Sequence, residues 1–256
     1  MITMVQRKNL YAETGCIVQG KKMGSEGGVL TVYHGSEKII ASPLFGGSKD
    51  NNDYGNGFYC SESEDLAREW SVDENRDGFL NSYKLNLSGL QILYLNGGSY
   101  SILHWLAVLL ENRRFQITAP LPREARRYLL TRFHVPYRDA DIIVGYRADD
   151  SYFSFAADFL NGTISLAQLE EAMYLGKLGE QIVLKSEKSY RQIRFLDYEP
   201  VDASIWYPKR EKRDRSARQR YFRQDREGWQ KGQLYMPRIL DEEIGPDDTR
   251  IQRIVY

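Results

Sequence analysis

The hydrophobic period changes irregularly along this chain, and that limits the fold more than any other feature. Phe79 to Leu87 alternates apolar and polar residues, as a half-buried strand does. Ser101 to Arg113 instead sets Ile102, Leu103, Trp105, Leu106, Leu109 and Leu110 at the spacing of a buried amphipathic helix. Short strand-like runs recur at Val29–Tyr33, Phe58–Cys60, Leu90–Leu95, Asp141–Gly145, Gln181–Leu184 and Ile193–Phe195. Helical stretches fall at Leu66–Trp70, behind a capping-box spacing of Ser61 with Glu64, and at Arg123–Phe133 and Ser151–Phe159. Another spans Ser165–Leu175, with Ser165 and Gln168 in box positions. Strands outnumber long helices and do not alternate regularly with them, which predicts an α+β fold rather than a doubly wound sheet.

Gly46 to Gly57 holds four glycines, three asparagines and two aspartates, so this stretch must turn rather than pack. With 42 % apolar residues in 256, the chain can bury a full core without cross-links. Cys16 and Cys60 are its two cysteines, too few for a disulfide scaffold or a four-cysteine zinc site. Thirty-five basic and 35 acidic residues cancel, so net charge predicts neither a nucleic-acid nor a membrane binder. The N-terminus has no apolar signal core, and the longest apolar stretch, Ile102 to Leu110, is broken by His104. A soluble, cytoplasmic protein with no membrane partner is expected. We divide it into an N-terminal extension (1–28), a core domain (29–200) and a basic C-terminal extension (201–256), where Lys209 to Arg226 carries nine Lys/Arg against three acids.

There is no Walker-type phosphate loop, dinucleotide-fold glycine fingerprint, HExxH, CxxC or GxSxG elbow. The three histidines, at 34, 104 and 134, are isolated, so no metal is expected. What remains is three segments: Tyr33-His34-Gly35-Ser36, then Asp53-Tyr54-Gly55-Asn56-Gly57-Phe58-Tyr59 leading to Trp70, then Glu180-Gln181-Ile182-Val183-Leu184. Taken singly, His34 reads as a structural histidine, Tyr59 and Trp70 as core aromatics, and Glu180 as a solvated carboxylate. Their order as a set carries the functional reading.

That set resembles the ADP-ribosyltransferase superfamily, most of all the branch with a His–Tyr–Glu signature that includes the poly(ADP-ribose) polymerases. It is similar, more closely, to a bacterial family of uncharacterised proteins in the same superfamily. Those read Tyr-His-Gly-Ser/Thr, Asp-Phe-Gly-x-Gly-Phe-Tyr, an alanine-tryptophan helix, Asp-Ile-Ile-x-Gly-x-x-Ala-Asp-Asp and Gln-Ile-Val-Phe. This chain offers Tyr33 to Ser36, Asp53 to Tyr59 with Tyr54 in place of Phe, Ala67 with Trp70, Asp141 to Asp150, and Gln181 to Leu184. The likeness covers about residues 29–200.

The resemblance implies a split antiparallel β-sheet core with flanking helices, and NAD⁺ as a substrate whose nicotinamide–ribose bond is broken with transfer of ADP-ribose. It implies dinucleotide contacts from His34, Gly35, Ser36, Tyr54, Gly57, Tyr59 and Trp70. His34 would donate to an adenosine-ribose hydroxyl, Gly35 would meet the carboxamide through its backbone, and Tyr59 would stack on nicotinamide with Trp70 or Tyr54 opposite. Negative charge beside the developing ribose cation would come from Glu180 by the polymerase-like alignment, or the position would fall to Gln181 by the bacterial one; Glu180 is preferred. Neighbouring strand residues face opposite sides, so one of the two points into the cleft.

The acceptor, a protein or a nucleic acid, is not written in these motifs. The acceptor-facing loop would lie near Tyr174 to Gly179. The basic segment, with Tyr221, Phe222 and Trp229 interleaved, is either a phosphate-binding and base-stacking element, a solvated helix or disordered tail, or a dock for an acidic antitoxin or inhibitor. A toxin-like role follows from the resemblance alone. Two alternatives stand beside transfer: an NAD⁺ glycohydrolase, and a catalytically silent module binding nucleic acid or protein through the basic tail.

Overall fold

A computed structural model of the protein describes residues 16–18, 21–22, 28–96, 100–148, 150–175, 180–225 and 228–251. The strands are β1 (Cys16–Val18), β2 (Lys21–Lys22), β3 (Val29–Ser36), β4 (Phe58–Cys60), β5 (Gly78–Asn86), β6 (Ile92–Tyr94), β7 (Ile142–Tyr146), β8 (Glu180–Leu184) and β9 (Ile193–Val201). The helices are α1 (Glu64–Ser71), α2 (Ile102–Asn112), α3 (Pro120–Arg132), α4 (Asp150–Leu160), α5 (Leu166–Leu175), α6 (Glu187–Arg191), α7 (Ala203–Asp225) and α8 (Met236–Asp241). Two sheets form: a six-stranded one in the order β2-β1-β6-β7-β8-β4, and a three-stranded one in the order β3-β5-β9.

The α+β expectation holds. The smaller sheet is antiparallel, but the larger is mixed, because β6 runs parallel to both β1 and β7. A β6-to-β7 link long enough to carry α2 and α3 allows the parallel pairing. Residues 97–99, 149 and 176–179, and with them most of the expected acceptor loop, lie outside the described residues.

The larger sheet separates two cores. On one face α2 to α5 pack around Trp105, Phe133, Phe155 and Phe159, all buried. On the other, Ile142, Val144, Ile182 and Leu184 meet Val32, Tyr83 and Leu85 of the smaller sheet. A third cluster (Ala67, Leu80, Val201, Ala203) sits where α1 and α7 cover the far side of the small sheet. Helix α1 lies almost backbone-on-backbone against that sheet. A Cβ on Gly35 would come within 1.9 Å of the Ala67 carbonyl oxygen, and one on Gly78 within 2.0 Å of the Ser71 carbonyl oxygen.

The N-cap of α1 is Ser63, whose Oγ accepts from the Leu66 N–H, not the expected Ser61. Ser61 is taken up in a two-bond bridge with Tyr33, at 2.8 Å each way. The expected box at Ser165 and Gln168 forms: Ser165 N–H donates to Gln168 Oε1 at 2.8 Å, and Gln168 N–H to Ser165 Oγ at 3.3 Å. The basic segment is helix α7, held to the body rather than loose. Arg213 donates to Glu69 of α1 at 2.7 Å, Ala217 and Tyr221 are buried, and Tyr221 stacks on Phe155 at 3.8 Å between centroids. Tyr221 is therefore a core residue and not a base-stacking one, whereas Phe222 and Trp229 are exposed. No described helix is long and apolar enough to cross a membrane.

His104, inside α2, carries a pH dependence. Its Nδ1 accepts from the Ser101 N–H at 3.0 Å, and burial lowers its pKa to about 4. The unfolded chain then binds a proton that the folded one refuses between roughly pH 6.5 and 4, so stability falls as the pH drops through that window. The loss expected from this site is roughly 3 kcal/mol, from the size of the shift at about 1.4 kcal/mol per unit. His104→Gln keeps a capping acceptor at this position and removes the titration. Urea midpoints between pH 7 and 4 should fall less in this variant than in wild type, and parallel curves would refute the assignment.

Candidate functional site

The seam between the two sheets opens into the molecule's candidate site. Strand β3 meets β4 at the Tyr33–Ser61 bridge and then diverges from it. Past the bridge the link is a side chain: His34 Nδ1 lies 2.7 Å from the Tyr59 carbonyl oxygen. A carbonyl only accepts, so Nδ1 carries the proton and a neutral His34 offers Nε2 as an acceptor. Burial holds the His34 pKa below its ordinary value and so favours that neutral form. A ligand hydroxyl would donate to His34, which reverses the sense expected from the sequence.

A cavity of about 560 Å³ fills the seam, within the range of about 300–1,000 Å³ usual for small-molecule sites. His34, Tyr59, Trp70 and Gln181 line it, with Gly57 on its loop side. The loop from Gly46 to Gly57 forms the near wall. It is pinned by Lys185 Nζ, which donates to the Tyr54 and Asn56 carbonyls, and by Ser48 Oγ, which accepts from Gly57 N–H at 2.8 Å. The loop runs too close to β8 for a side chain at Gly57, where a Cβ would meet Val183 at 2.7 Å and the Leu184 carbonyl at 2.8 Å.

Four expected residues fall elsewhere or act differently. Tyr54 is fully buried, its hydroxyl donating to the Tyr146 carbonyl at 2.6 Å, so it belongs to the core under Gly145 and cannot close over a ligand. Ser36 is off the cavity wall, and its hydroxyl is spent on the Lys38 carbonyl and the Asn81 amide. Gly35 is also off the wall, and helix α1 rather than a ligand requires its missing side chain. Its N–H and C=O do share an edge with those of Tyr33, because backbone groups alternate along a strand, and so they face the gap beyond the bridge. Trp70 lines the cavity, but its ring carries the Arg147 guanidinium 3.3 Å from the centroid, which commits that face to a cation.

Glu180 and Gln181 separate as strand parity requires. Glu180 takes the hydroxyl of Tyr94 at 2.8 Å and the amide of Asn96 at 3.1 Å, away from the cavity wall. Gln181, buried, is the residue of β8 on the cavity, and its Nε2 donates to Asp53 Oδ2 at 2.7 Å and the Tyr146 carbonyl at 3.3 Å. The preference for Glu180 as the cleft-facing residue is thus overturned.

Sequence reasoning missed the three charged lining residues. Asp53 is buried, with Oδ2 also accepting from the Ala148 N–H at 2.9 Å, and loss of solvent raises its pKa. Arg113, at the end of α2, lies 3.8 Å from Asp53 Oδ1, and Arg147 follows β7. Asp53 opens the second motif and Arg147 lies inside the Asp141–Asp150 segment, so the signal was position within a recognised motif rather than residue type. Among the described residues no three His, Cys, Asp or Glu side chains gather as a metal group.

No curated protein and no solved structure matches the chain. The stretch from β3 into β9 that builds this cavity is matched over residues 30–195 by a family model described as a protein of unknown function, DUF3990, and the chain belongs to that family.

Proposed function

We propose that the protein is an NAD⁺-dependent ADP-ribosyltransferase of the His–Tyr–Glu type, with Gln181 in the position of the acid, acting on a protein or nucleic-acid acceptor. One observation carries this reading: residues from β3, β4 and β8, far apart in sequence, line one cavity at the parting of two sheets. In that reading a ribose hydroxyl donates to His34 Nε2. The nicotinamide ring lies against Tyr59, held by its hydroxyl's bond to the Gly55 carbonyl at 2.6 Å, and the carboxamide pairs with the Gly35 peptide edge. Arg113 and Arg147 give the cavity the positive charge that a pyrophosphate requires.

The bond between nicotinamide and ribose C1 breaks with its electron pair leaving on the nicotinamide nitrogen, which becomes neutral. The ribosyl cation is then captured by an acceptor that gives up its proton. The leaving group needs no strong acid, so catalysis falls to positioning and to negative potential beside C1. A toxin-like role with a neutralising partner rests on the likeness of motifs alone.

The test is incubation of the purified protein with adenylate-labelled NAD⁺ and cell lysate, following free nicotinamide and label in the macromolecular fraction. Release with label removed by protease or by nuclease is expected. Release without transfer would make it a glycohydrolase. The amide at 181, where the branch has an acid, favours a second reading, a dinucleotide-binding module without turnover; NAD⁺ binding with no release would establish it and overturn the first.

A further inference from the structure

We infer that Asp53 and Gln181 act as one device: the buried carboxylate orients the amide and charges it, so that Gln181 Oε1 presents to the ribosyl cation the negative pole that a glutamate would supply directly. This rests on the transferase reading above and says how its site works without an acid on β8.

The amide orientation follows from its partners. Both groups bonded to the Gln181 nitrogen, a carboxylate oxygen and a backbone carbonyl, can only accept, so the nitrogen must lie there and Oε1 is left as the acceptor. Oε1 makes no hydrogen bond among the described residues, and it is not among the buried atoms lacking a partner, so it is the polar atom that this side chain turns to the cavity. Asp53 in turn accepts two donors on Oδ2, while Oδ1 is sealed and makes no hydrogen bond among the described residues. An ionised carboxylate bonded to an amide N–H pulls the proton toward itself and pushes electron density onto the amide oxygen, and a low local dielectric strengthens the effect.

The charged and titratable groups around Asp53 are Arg113 and Arg147, which favour its ionised form, and the hydroxyls of Tyr54 and Tyr59. Burial opposes that form and raises the Asp53 pKa, while the two guanidinium groups and two hydrogen bonds work against that rise. In this proposal Asp53 acts through the Gln181 amide and not on the reacting atoms, so it is a positioning residue.

The experiment is nicotinamide release by wild type, Asp53→Asn, Gln181→Glu and the double variant, with Gln181 side-chain amide signals followed by nitrogen-15 NMR without NAD⁺. Asp53→Asn should lower kcat roughly 10- to 100-fold with KM little changed, less than loss of a direct contact because the effect passes through the amide. Gln181→Glu places two carboxylates at hydrogen-bond distance, which then share one proton and keep a single negative charge. It should stay within about tenfold of wild type, and the double variant, with its one charge moved to position 181, should exceed Asp53→Asn by about tenfold. In the wild type, the Gln181 amide protons should be protected from exchange and shift as Asp53 ionises.

Wild-type kcat in a folded Asp53→Asn, or a double variant no better than it, overturns the device. So does a freely exchanging Gln181 amide in a wild type that turns over, a result independent of whether the variants fold. A wild type that releases no nicotinamide yet shows the protected amide overturns the transferase reading instead.

Discussion

Gly35→Ala is expected to cost about 4 kcal/mol or more of unfolding free energy, enough to leave a marginally stable domain largely unfolded at 37 °C. The added Cβ would sit 1.9 Å from the Ala67 carbonyl oxygen, 2.8 Å from the Ser71 nitrogen and 2.9 Å from the Ala67 carbonyl carbon. All three are backbone atoms of α1, so no side chain can rotate away; the helix must lift off β3 or β3 must leave β5. Lifting α1 also moves Trp70 and the Glu69–Arg213 pair that ties α7 to the body. Gly46→Ala is the control. Gly46 has φ 77° with nothing within 4 Å of its would-be Cβ, so strain alone costs about 1–2 kcal/mol. Urea unfolding of the two variants separates steric conflict from backbone strain. A Gly35→Ala protein within 1 kcal/mol of wild type, on the scale of ordinary surface substitutions, would show that α1 does not pack as closely as described.

The same glycine marks where sequence reading succeeded and where it could not. His34 and Gly35 were recognised as a pair, and the fold does use both, but on opposite faces of β3: the imidazole enters the seam and the glycine lies under α1. A motif gives identity and spacing; it does not say which neighbour a missing side chain is missing for. Segments with strong single periods were legible. Phe79–Leu87 is within one residue of β5, and Ser101 caps a helix ending beside Arg113. Strand β9 was seen only at its start because the register shifts at Leu196, opposite Ser82 and Tyr83, and the apolar alternation passes from Ile193 and Phe195 to Leu196 and Tyr198. The Glu180 misplacement has the same origin in reverse. Strand β8 is buried on both faces, with Ile182 and Leu184 in one core and Val183 in the other. An unbroken apolar run carries no parity, so nothing local tells which of its first two residues faces the cleft.

That parity yields the second large effect. Gln181→Ala is expected to lower kcat for nicotinamide release by about 10²- to 10³-fold, the usual consequence of removing one preorganised group beside a developing charge. Glu180→Ala should leave kcat within about threefold, under 1 kcal/mol of barrier. Its cost should appear in stability, since the carboxylate holds the Tyr94 hydroxyl and the Asn96 amide: about 1–3 kcal/mol for hydrogen bonds to a charged group. The two neighbours thus predict opposite signatures, one in turnover and one chiefly in the urea midpoint. Both should be measured on the folded fraction, because Gln181→Ala also deprives Asp53 of a donor and will lose some stability of its own. If Glu180→Ala abolishes turnover while Gln181→Ala retains it, β8 must present its other face to the substrate. The Asp53–Gln181 pair would then be a structural clasp, and the polymerase-like alignment would have named the acting residue after all.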